Sequence, residues 1–181
     1  MSLTLQNICI AYGKKEILSG ISLDTIKPGS LVALLGQNGA GKSTFVKGLA
    51  GLKSYQGSAA LDNIELANMD QFQRLKNIGY VPQDVFLFSD SIENNITFGL
   101  KSNADKKTIH EAAKKAEVYD NIMDLPSQFQ TVLGERGVNL SGGQKQRISI
   151  ARGIIKSPDI MIFDDCLSAV DTETEFKIVK N

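Results

Sequence analysis

The stretch Gly36-Gln37-Asn38-Gly39-Ala40-Gly41-Lys42-Ser43 decides how the rest of the sequence is interpreted. It matches the pattern G-x-x-x-x-G-K-S/T, in which glycines let backbone N–H groups converge on phosphate oxygens. A helix that starts within the motif directs its positive end at the same oxygens. Lys42 can reach the β- and γ-phosphates, and the Ser43 hydroxyl can bind Mg²⁺. The pattern predicts a binding loop for a magnesium-bound triphosphate, called the phosphate loop below.

The segments on both sides of the phosphate loop favour the strand and the helix that the motif requires. Leu31–Leu35 is an unbroken apolar run, which is typical of a strand buried on both faces in a parallel sheet. Behind the loop, apolar residues recur at helical spacing, namely Phe45, Val46, Leu49 and Ala50. The sequence therefore predicts the order strand, glycine loop, helix around this motif.

The remaining apolar pattern predicts an α/β core with a helical insertion near its middle. Helical spacing predominates from about residue 91 to residue 139, as in Asp105–Tyr119. A further helix is predicted over Gly143–Lys156, and Ser157-Pro158 marks its end. Strands are predicted at Leu3–Tyr12, Ile17–Leu23, Ile78–Val81 and Asp159–Phe163, and a hairpin over Gly57–Leu66 turns at Asp62-Asn63.

Two adjacent carboxylates follow the apolar run Ile160–Phe163. A carboxylate at the end of a buried parallel strand, beside a phosphate loop at another strand end, is placed to hold Mg²⁺ or its water molecules. We therefore predict that Asp164 is a metal residue and that Asp165 could polarise an attacking water molecule. Taken alone, two acids after a strand are also common in solvated loops.

A second candidate anion site is Leu140-Ser141-Gly142-Gly143-Gln144, called the signature segment below. It opens a predicted helix, so a serine hydroxyl and glycine amides lie at the positive end of that helix. Ser-Gly-Gly before a helix is also an ordinary capping arrangement, and the segment alone does not decide between the two interpretations.

The phosphate loop, the signature segment and the acidic strand end, in this order and spacing, resemble the ATP-binding cassette (ABC) family from about Leu3 to Asp171. The resemblance implies a P-loop NTPase core with an antiparallel β subdomain and an inserted α-helical subdomain. Within one domain it implies a division into residues 1–83 (β subdomain and phosphate-loop core), 84–147 (helical subdomain with the signature segment) and 148–181 (the acidic-strand part of the core).

The resemblance also implies roles for single residues, with ATP and Mg²⁺ as the ligands. Tyr12 is similar to the aromatic residue that stacks on adenine, although a tyrosine packing on the core would look the same. The implied nucleotide-contacting residues are Tyr12, Gly36, Gln37, Asn38, Gly39, Ala40, Gly41, Lys42, Ser43, Thr44, Ser141, Gly142, Gly143 and Gln144. The implied metal residues are Ser43, Gln83 and Asp164, and the implied catalytic residues are Asp165, Gln83 and Lys42.

The resemblance further implies partners. Two such domains, identical or different, pair head to tail, so that Ser141–Gln144 contact the γ-phosphate bound by the second nucleotide-binding domain. Ser168-Ala169-Val170-Asp171 resembles the loop that crosses this interface, and hydrolysis of ATP releases the pair.

Two further segments resemble exporters of the family and imply a transmembrane domain as partner. Phe86–Ile96 is similar to the segment that follows the glutamine loop, and Gly134–Gly137 resembles the loop that meets the intracellular helices. Phe86 and Phe88 either pack in the core or form an exposed apolar dock for that partner. The expected function is ATP hydrolysis that drives export, at the cytoplasmic face of the membrane and held by transmembrane domains outside this chain.

Two departures from the family pattern leave alternatives open. Asp165 stands where the family has glutamate, so its carboxylate lies one methylene further back, which favours slow hydrolysis or a regulatory module. The family's switch histidine is missing, since the single histidine, His110, lies elsewhere; this implies a C-terminally truncated domain that alone binds nucleotide weakly and hydrolyses little or none. A soluble ABC ATPase is the third interpretation.

Composition excludes several other functions. Lys plus Arg and Asp plus Glu number 20 each, so no net positive charge is available to attract nucleic acid. The two cysteines, Cys9 and Cys166, and the one histidine do not form a metal-ligand pattern. The N-terminus alternates Leu3, Thr4, Leu5 and Gln6 and lacks the basic start and apolar block of a signal peptide. No apolar run approaches the roughly 20 residues of a spanning helix. If the protein works at a membrane, another segment or subunit supplies the spanning part.

Overall fold

The structure, a computed structural model, describes residues 1–134 and 140–180. These residues form two compact units, Met1–Ile78 and Gly79–Asn181, each with its own core. Glu135, Arg136 and Gly137 of the predicted exporter loop lie outside the described residues.

The first unit is built on an antiparallel sheet of four strands in the order β2-β1-β3-β4. Their bounds are β1 (Leu3–Tyr12), β2 (Lys15–Ile26), β3 (Gln56–Leu61) and β4 (Ile64–Glu65). The hairpin predicted at Asp62-Asn63 is confirmed: both residues have left-handed backbone angles (φ 45° and 66°), as a two-residue turn between twisted strands requires. One face of the sheet is buried through alternate apolar residues, among them Leu5, Ile8 and Leu61.

Helices complete the first unit. Helix α1 (Lys42–Leu49) starts directly behind the phosphate loop, as predicted, and buries Phe45 and Leu49. A 3₁₀ turn (Leu66–Asn68) and helix α2 (Gln71–Asn77) lead to the end of the unit.

The predicted strand at Leu31–Leu35 is wrong. The segment belongs to neither sheet, and its ends are exposed to solvent, Leu31 to 75% and Leu35 to 88%. An apolar run becomes a buried strand only where neighbouring strands bond its backbone and other elements cover its faces. The described residues give this run neither, so its composition alone does not make it a strand.

The second unit is mostly helical. Its elements are the two-stranded sheet of β5 (Ile78–Val81) and β6 (Ile160–Phe163), the helices α3 (Ile92–Thr97), α4 (Lys106–Lys115), α5 (Tyr119–Met123), α6 (Gly142–Ile154) and α7 (Thr172–Lys180), and a 3₁₀ turn (Gln128–Gln130). The helical stripe predicted in α4 is confirmed, because Ile109, Ala112 and Ala113 are buried together with the following Ala116. They pack with Ile148 and Ile150 of α6, which fixes that helix and its N-terminus on the core.

Among the described residues, no helix combines the length and the apolar character needed to cross a bilayer.

Candidate functional site

Two glycines shape the phosphate loop. Gly39 and Gly41 have φ angles of +83° and +94°, in the region that L side chains rarely adopt. A Cβ atom at Gly41 would also lie 2.9 Å from Cδ2 of Leu18. Gly41 is the residue before α1, so its conformation sets the direction in which the helix starts. The backbone conformation at Gly41 and its close approach to the Leu18 side chain therefore both favour glycine.

Lys42 folds back over the loop that precedes it. Its Nζ atom donates hydrogen bonds to the carbonyl oxygens of Gly36 (2.7 Å) and Gln37 (3.0 Å). The ammonium group therefore lies at the mouth of the loop, within reach of an anion bound there. The first turn of α1, with Ser43 and Thr44, presents the positive end of that helix next to the loop, which favours an anion there.

Tyr12 ends β1 with its side chain 49% exposed. The prediction left open whether this ring packs in the core or serves as a platform, and the exposure favours a ring that can still accept a stacking partner. The ammonium of Lys53 lies 3.3 Å from the ring centroid, a cation–π contact that holds the ring in place.

Asp164 follows β6 and is only 7% exposed. The hydroxyl of Tyr80 donates to its Oδ2 atom at 2.8 Å, and its backbone N–H donates to the carbonyl of Val81 at 3.0 Å. Burial and the Asp164 carboxylate raise the pKa of Tyr80 well above its ordinary value, so the phenol remains a donor. Sequence analysis missed Tyr80, since one tyrosine on a short strand becomes informative only when the partner strand is known.

Gln83 and Asp165 come from distant parts of the sequence and meet in the structure. The Nε2 atom of Gln83 donates to Oδ2 of Asp165 at 3.0 Å. Asp165 has a φ of 52°, a left-handed conformation that aspartate tolerates better than most residues with a side chain. The two predicted catalytic side chains are thereby joined by a direct hydrogen bond.

The signature segment starts α6 with a reciprocal cap. The Ser141 hydroxyl accepts the N–H of Gln144 (3.2 Å), and the Gln144 side chain accepts the N–H of Ser141 (2.9 Å). The segment is thus a helix cap, and this cap uses neither the hydroxyl proton of Ser141 nor the amide protons of the Gln144 side chain.

The loop after Asp165 packs against the start of α6. The backbone N–H of Ala169 donates to the side-chain oxygen of the buried Gln146 at 3.2 Å, and a Cβ atom at Gly143 would lie 2.8 Å from the Ala169 carbonyl oxygen. Between the two elements lies a groove of about 360 Å³, lined by Ser141, Gly142, Gly143, Arg147, Ala169, Val170 and Asp171. The predicted interface loop and the signature segment therefore form one surface, and Gln146, which sequence analysis did not single out, joins them.

The residues predicted to bind the metal are of types that suit magnesium. Hydroxyl, amide and carboxylate oxygens from Ser43, Gln83 and Asp164 are the hard ligands that Mg²⁺ accepts. Within residues 1–134 and 140–180 no cluster of three or more His, Cys, Asp or Glu could hold a metal ion by itself. Mg²⁺ is usually held by one or two carboxylates together with phosphate oxygens of the substrate. The phosphate loop and Ser43 belong to the first unit, Gln83 and Asp164 to the second.

The sequence was compared with family models and with known proteins. Residues 18–168 match the family model for the ABC transporter. The chain is 43% identical over 180 residues to the uncharacterized ABC transporter ATP-binding protein YfiB of Bacillus subtilis and 41% identical over 180 residues to the ATM1-type heavy metal exporter of Novosphingobium aromaticivorans. These matches cover 97% and 98% of this chain but only 31% and 29% of those proteins, so the chain spans about three tenths of their length.

A solved structure of a bacterial Atm1-family ABC exporter with ATP bound superposes with a TM-score of 0.89 at 41% identity. It covers 98% of this chain, which in turn covers 31% of the exporter chain. The fold class predicted from the resemblance is thereby confirmed. The family model spans residues 18–168, which is most of this chain. The chain therefore belongs to the ABC transporter family.

Proposed function

We propose that this chain is the nucleotide-binding domain of an ABC exporter, which binds and hydrolyses Mg²⁺-ATP at the cytoplasmic face of a membrane and thereby drives transport. The observation that carries the proposal is the glycine-shaped loop with Lys42 bonded to its carbonyls at the start of α1. Relatives named as a lipid A-core flippase and a heavy metal exporter support transport over a soluble role.

Nucleotide binding starts from the phosphate loop. Gly36, Gln37, Asn38, Gly39 and Gly41 would offer backbone N–H groups, and Ser43 and Thr44 those of the first turn of α1. The N–H of Ala40 donates within the loop to the carbonyl of Gln37 (3.1 Å) and would have to exchange this bond for one to phosphate. Lys42 exchanges its bonds to the carbonyls of Gly36 and Gln37 for bonds to the β- and γ-phosphates, which leaves its charge compensated in both states. The exposed ring of Tyr12 stacks on the base.

We propose that Ser43, Gln83 and Asp164 would hold Mg²⁺. When bound, the ion would supply positive charge to the phosphate oxygens during transfer of the terminal phosphoryl group. The Tyr80 hydroxyl donates to Oδ2 of Asp164, which restrains the orientation of this carboxylate. Asp164 is only 7% exposed, so little bulk water reaches its side chain.

Gln83 and Asp165 act on the attacking water. The hydrogen bond between them fixes the Asp165 carboxylate, which accepts a hydrogen bond from the water molecule and orients it towards the γ-phosphorus. The carboxylate is one methylene shorter than the glutamate of the family pattern, so we propose that the water is held further from its ideal place and that hydrolysis is slow.

The signature segment binds the nucleotide of a second nucleotide-binding domain, identical or different. The internal cap of α6 already uses the N–H groups of Ser141 and Gln144. The donors left for a γ-phosphate are therefore the Ser141 hydroxyl, the N–H groups of Gly142 and Gly143, and the side-chain NH₂ of Gln144. We propose that these donors, with the interface loop Ser168–Asp171, form the surface that closes on the partner.

The transmembrane domain docks on the segment Phe86–Ile96. Phe86 is 57% exposed, so the core-packing alternative for this residue is not favoured, and an exposed aromatic ring suits an apolar partner. We also retain the division into residues 1–83, 84–147 and 148–181 as a proposal for the subdomains.

The test compares ATP hydrolysis by the full-length protein, meaning this chain with its proposed transmembrane part, in lipid nanodiscs. Asp165→Glu should raise turnover because it restores the missing methylene, and Asp165→Asn should abolish it because an amide accepts a proton poorly. Asp159→Asn, an exposed acid before β6, is the matched control and should change nothing. Equal turnover in all four proteins would refute the role of Asp165, and no detectable ATP binding by any of them would refute the proposed function.

A further inference from the structure

Arg152 lies in the last turn of α6, the helix that the signature segment begins. Its guanidinium group reaches out of this helix to the segment between β5 and the end of α3. Nε donates to the carbonyl oxygen of Asn95 (2.7 Å), Nη2 to the Oδ1 atom of the same residue (2.9 Å), and Nη1 to the carbonyl of Phe86 (2.9 Å). One side chain therefore fixes two separate points of this segment.

Asn95 extends the network inside the segment. It is fully buried, and its Oδ1 also accepts the N–H of Phe88 (2.8 Å) while its Nδ2 donates to the carbonyls of Phe88 and Ser91 (both 3.0 Å). A buried amide with every contact made specifies one arrangement of the backbone around it. The position of Phe88 is thus tied through Asn95 to Arg152.

Three aromatic rings, Phe86, Phe88 and Phe98, lie against this network and form the aromatic surface. The Phe88 ring is 5.0 Å from that of Phe86, nearly perpendicular to it, and 4.3 Å from that of Phe98. The Arg152 guanidinium lies 5.5 Å from the Phe88 centroid and 5.8 Å from the Phe98 centroid. The outer two rings are more than half exposed, so the network holds an apolar surface open to solvent.

The guanidinium has an unusual environment for a cation. Within residues 1–134 and 140–180, no carboxylate lies at ion-pair distance from it, and burial lowers its pKa. Its charge is compensated by carbonyl oxygens and ring faces alone. Burying a neutral side chain would cost less desolvation than burying this cation. We therefore attribute the presence of arginine to its geometry, since the planar guanidinium donates hydrogen bonds in several fixed directions.

We propose that Arg152 is a positioning residue that couples α6 to the aromatic surface, so that movement of the signature segment on nucleotide binding changes the placement of Phe86 and Phe98. The inference rests on the proposed function, because it requires the start of α6 to meet a nucleotide held by a second domain. A shift of α6 carries the guanidinium with it, and its short bonds to Asn95 and Phe86 transmit the shift to the rings. No contact of Arg152 with ATP is needed.

The experiment places a trifluoromethyl-phenylalanine at position 86 of the full-length protein by amber suppression and records its ¹⁹F spectrum with and without the analogue AMP-PNP and Mg²⁺. In the parent protein the analogue should shift the resonance. In Arg152→Gln the shift should fall at least threefold, while the Kd for a fluorescent ATP analogue changes less than twofold. Arg152→Lys keeps the charge but not the fork, and should give an intermediate shift.

The control for lost stability is Ile122→Ala, which removes buried volume from α5 in the same core. It should lower the melting temperature and leave the nucleotide-dependent shift intact. A shift that survives in both Arg152 variants overturns the inference, as does a shift lost equally in Ile122→Ala. Binding of the analogue without any shift in the parent also overturns it and leaves the proposed function standing, whereas absence of binding overturns both. If Arg152→Gln does not fold, Arg152→Lys decides alone.

Discussion

Helices α1 and α6 both begin with glycine-rich segments proposed to meet phosphate, yet their first turns are satisfied in opposite ways. Gly41, before α1, has φ 94° and no side chain to accept an N–H group. Ser141, before α6, is extended (φ −67°) and exchanges hydrogen bonds with Gln144. The start of α1 therefore has no side-chain cap, while the start of α6 satisfies the N–H groups of Ser141 and Gln144 through its own cap.

This difference indicates that the two segments suit different kinds of phosphate contact. A helix start without a side-chain cap favours tight binding of a multiply charged ligand, since its first N–H groups lie at the positive end of the helix. A capped start keeps its shape without ligand and offers fewer donors, which suits a surface that closes and reopens in each cycle. The four substitutions below test this contrast, from the largest expected effect to the smallest.

Gly41→Ala should have the largest effect. The new Cβ atom would meet Leu18 at 2.9 Å in a backbone conformation that alanine disfavours by about 1–2 kcal/mol. We expect a loss of roughly 2–5 kcal/mol in the free energy of unfolding, because overpacking adds about 1–3 kcal/mol to this strain. Gly29→Ala is the matched control, since Gly29 has φ +75° but open space around it, and it should show the strain alone. Chemical denaturation measures both; equal losses would mean that the Leu18 contact does not matter.

Lys42→Met should weaken binding of Mg²⁺-ATP by roughly 10- to 100-fold, because a hydrogen bond to a charged group contributes about 1.5–3 kcal/mol. Methionine keeps the length of the side chain and removes the ammonium that bonds to Gly36 and Gln37. Lys47→Met, an exposed lysine on the same helix, is the control and should bind ATP normally. Titration calorimetry on the full-length protein gives both constants, and indistinguishable affinities would remove Lys42 from the site.

Ser141→Ala should act on α6 and leave binding by the phosphate loop unchanged. Loss of a serine cap costs about 1 kcal/mol of helix stability, so the first-turn amides of α6 should exchange hydrogen about fivefold faster in the absence of nucleotide. Hydrogen exchange measured by mass spectrometry tests this directly. If the contrast between the two helices is correct, the amides of α1 keep their exchange rates in the same sample; faster exchange in both helices would contradict it.

Elements fixed by neighbours in the sequence were predictable. The bounds of β1, the turn at Asp62-Asn63 and the start of α1 follow from alternation, turn residues and the glycine motif, and the structure has them there. Leu31–Leu35 failed because an apolar run does not specify what pairs with it. Whether such a run forms a strand depends on its pairing with distant strands more than on its local residue preferences.

The residues of the candidate site fall into the same two groups, those predictable from neighbouring sequence and those that depend on long-range contacts. The residues of the phosphate loop and the signature segment were found because each motif is contiguous. Tyr80 on Asp164, Gln146 on Ala169 and the fork of Arg152 were not found, since each acts across a gap of more than 20 residues that only the fold closes. Such supporting contacts carry no pattern of their own in a single sequence.

Gln144→Glu should have the smallest effect on stability and is the sharpest test of the contrast. The substitution should stabilise the helix cap and weaken the phosphate contact, so the two roles change in opposite directions. Glutamate at this position preserves the reciprocal cap, and its negative charge near the start of α6 should add about 0.3–1 kcal/mol of helix stability. The same charge should repel a γ-phosphate and weaken the ATP-dependent pairing of two domains.

The control is Gln73→Glu in α2, where Asp70 and Gln73 form the same reciprocal cap at a helix start for which no nucleotide contact is proposed. It should leave pairing unchanged. Hydrogen exchange of α6 and light scattering with and without ATP provide the two readouts. Slower exchange together with weaker pairing would establish that one segment serves both purposes; if pairing is unaffected, the capping interpretation suffices, and the signature segment contacts no phosphate through Gln144.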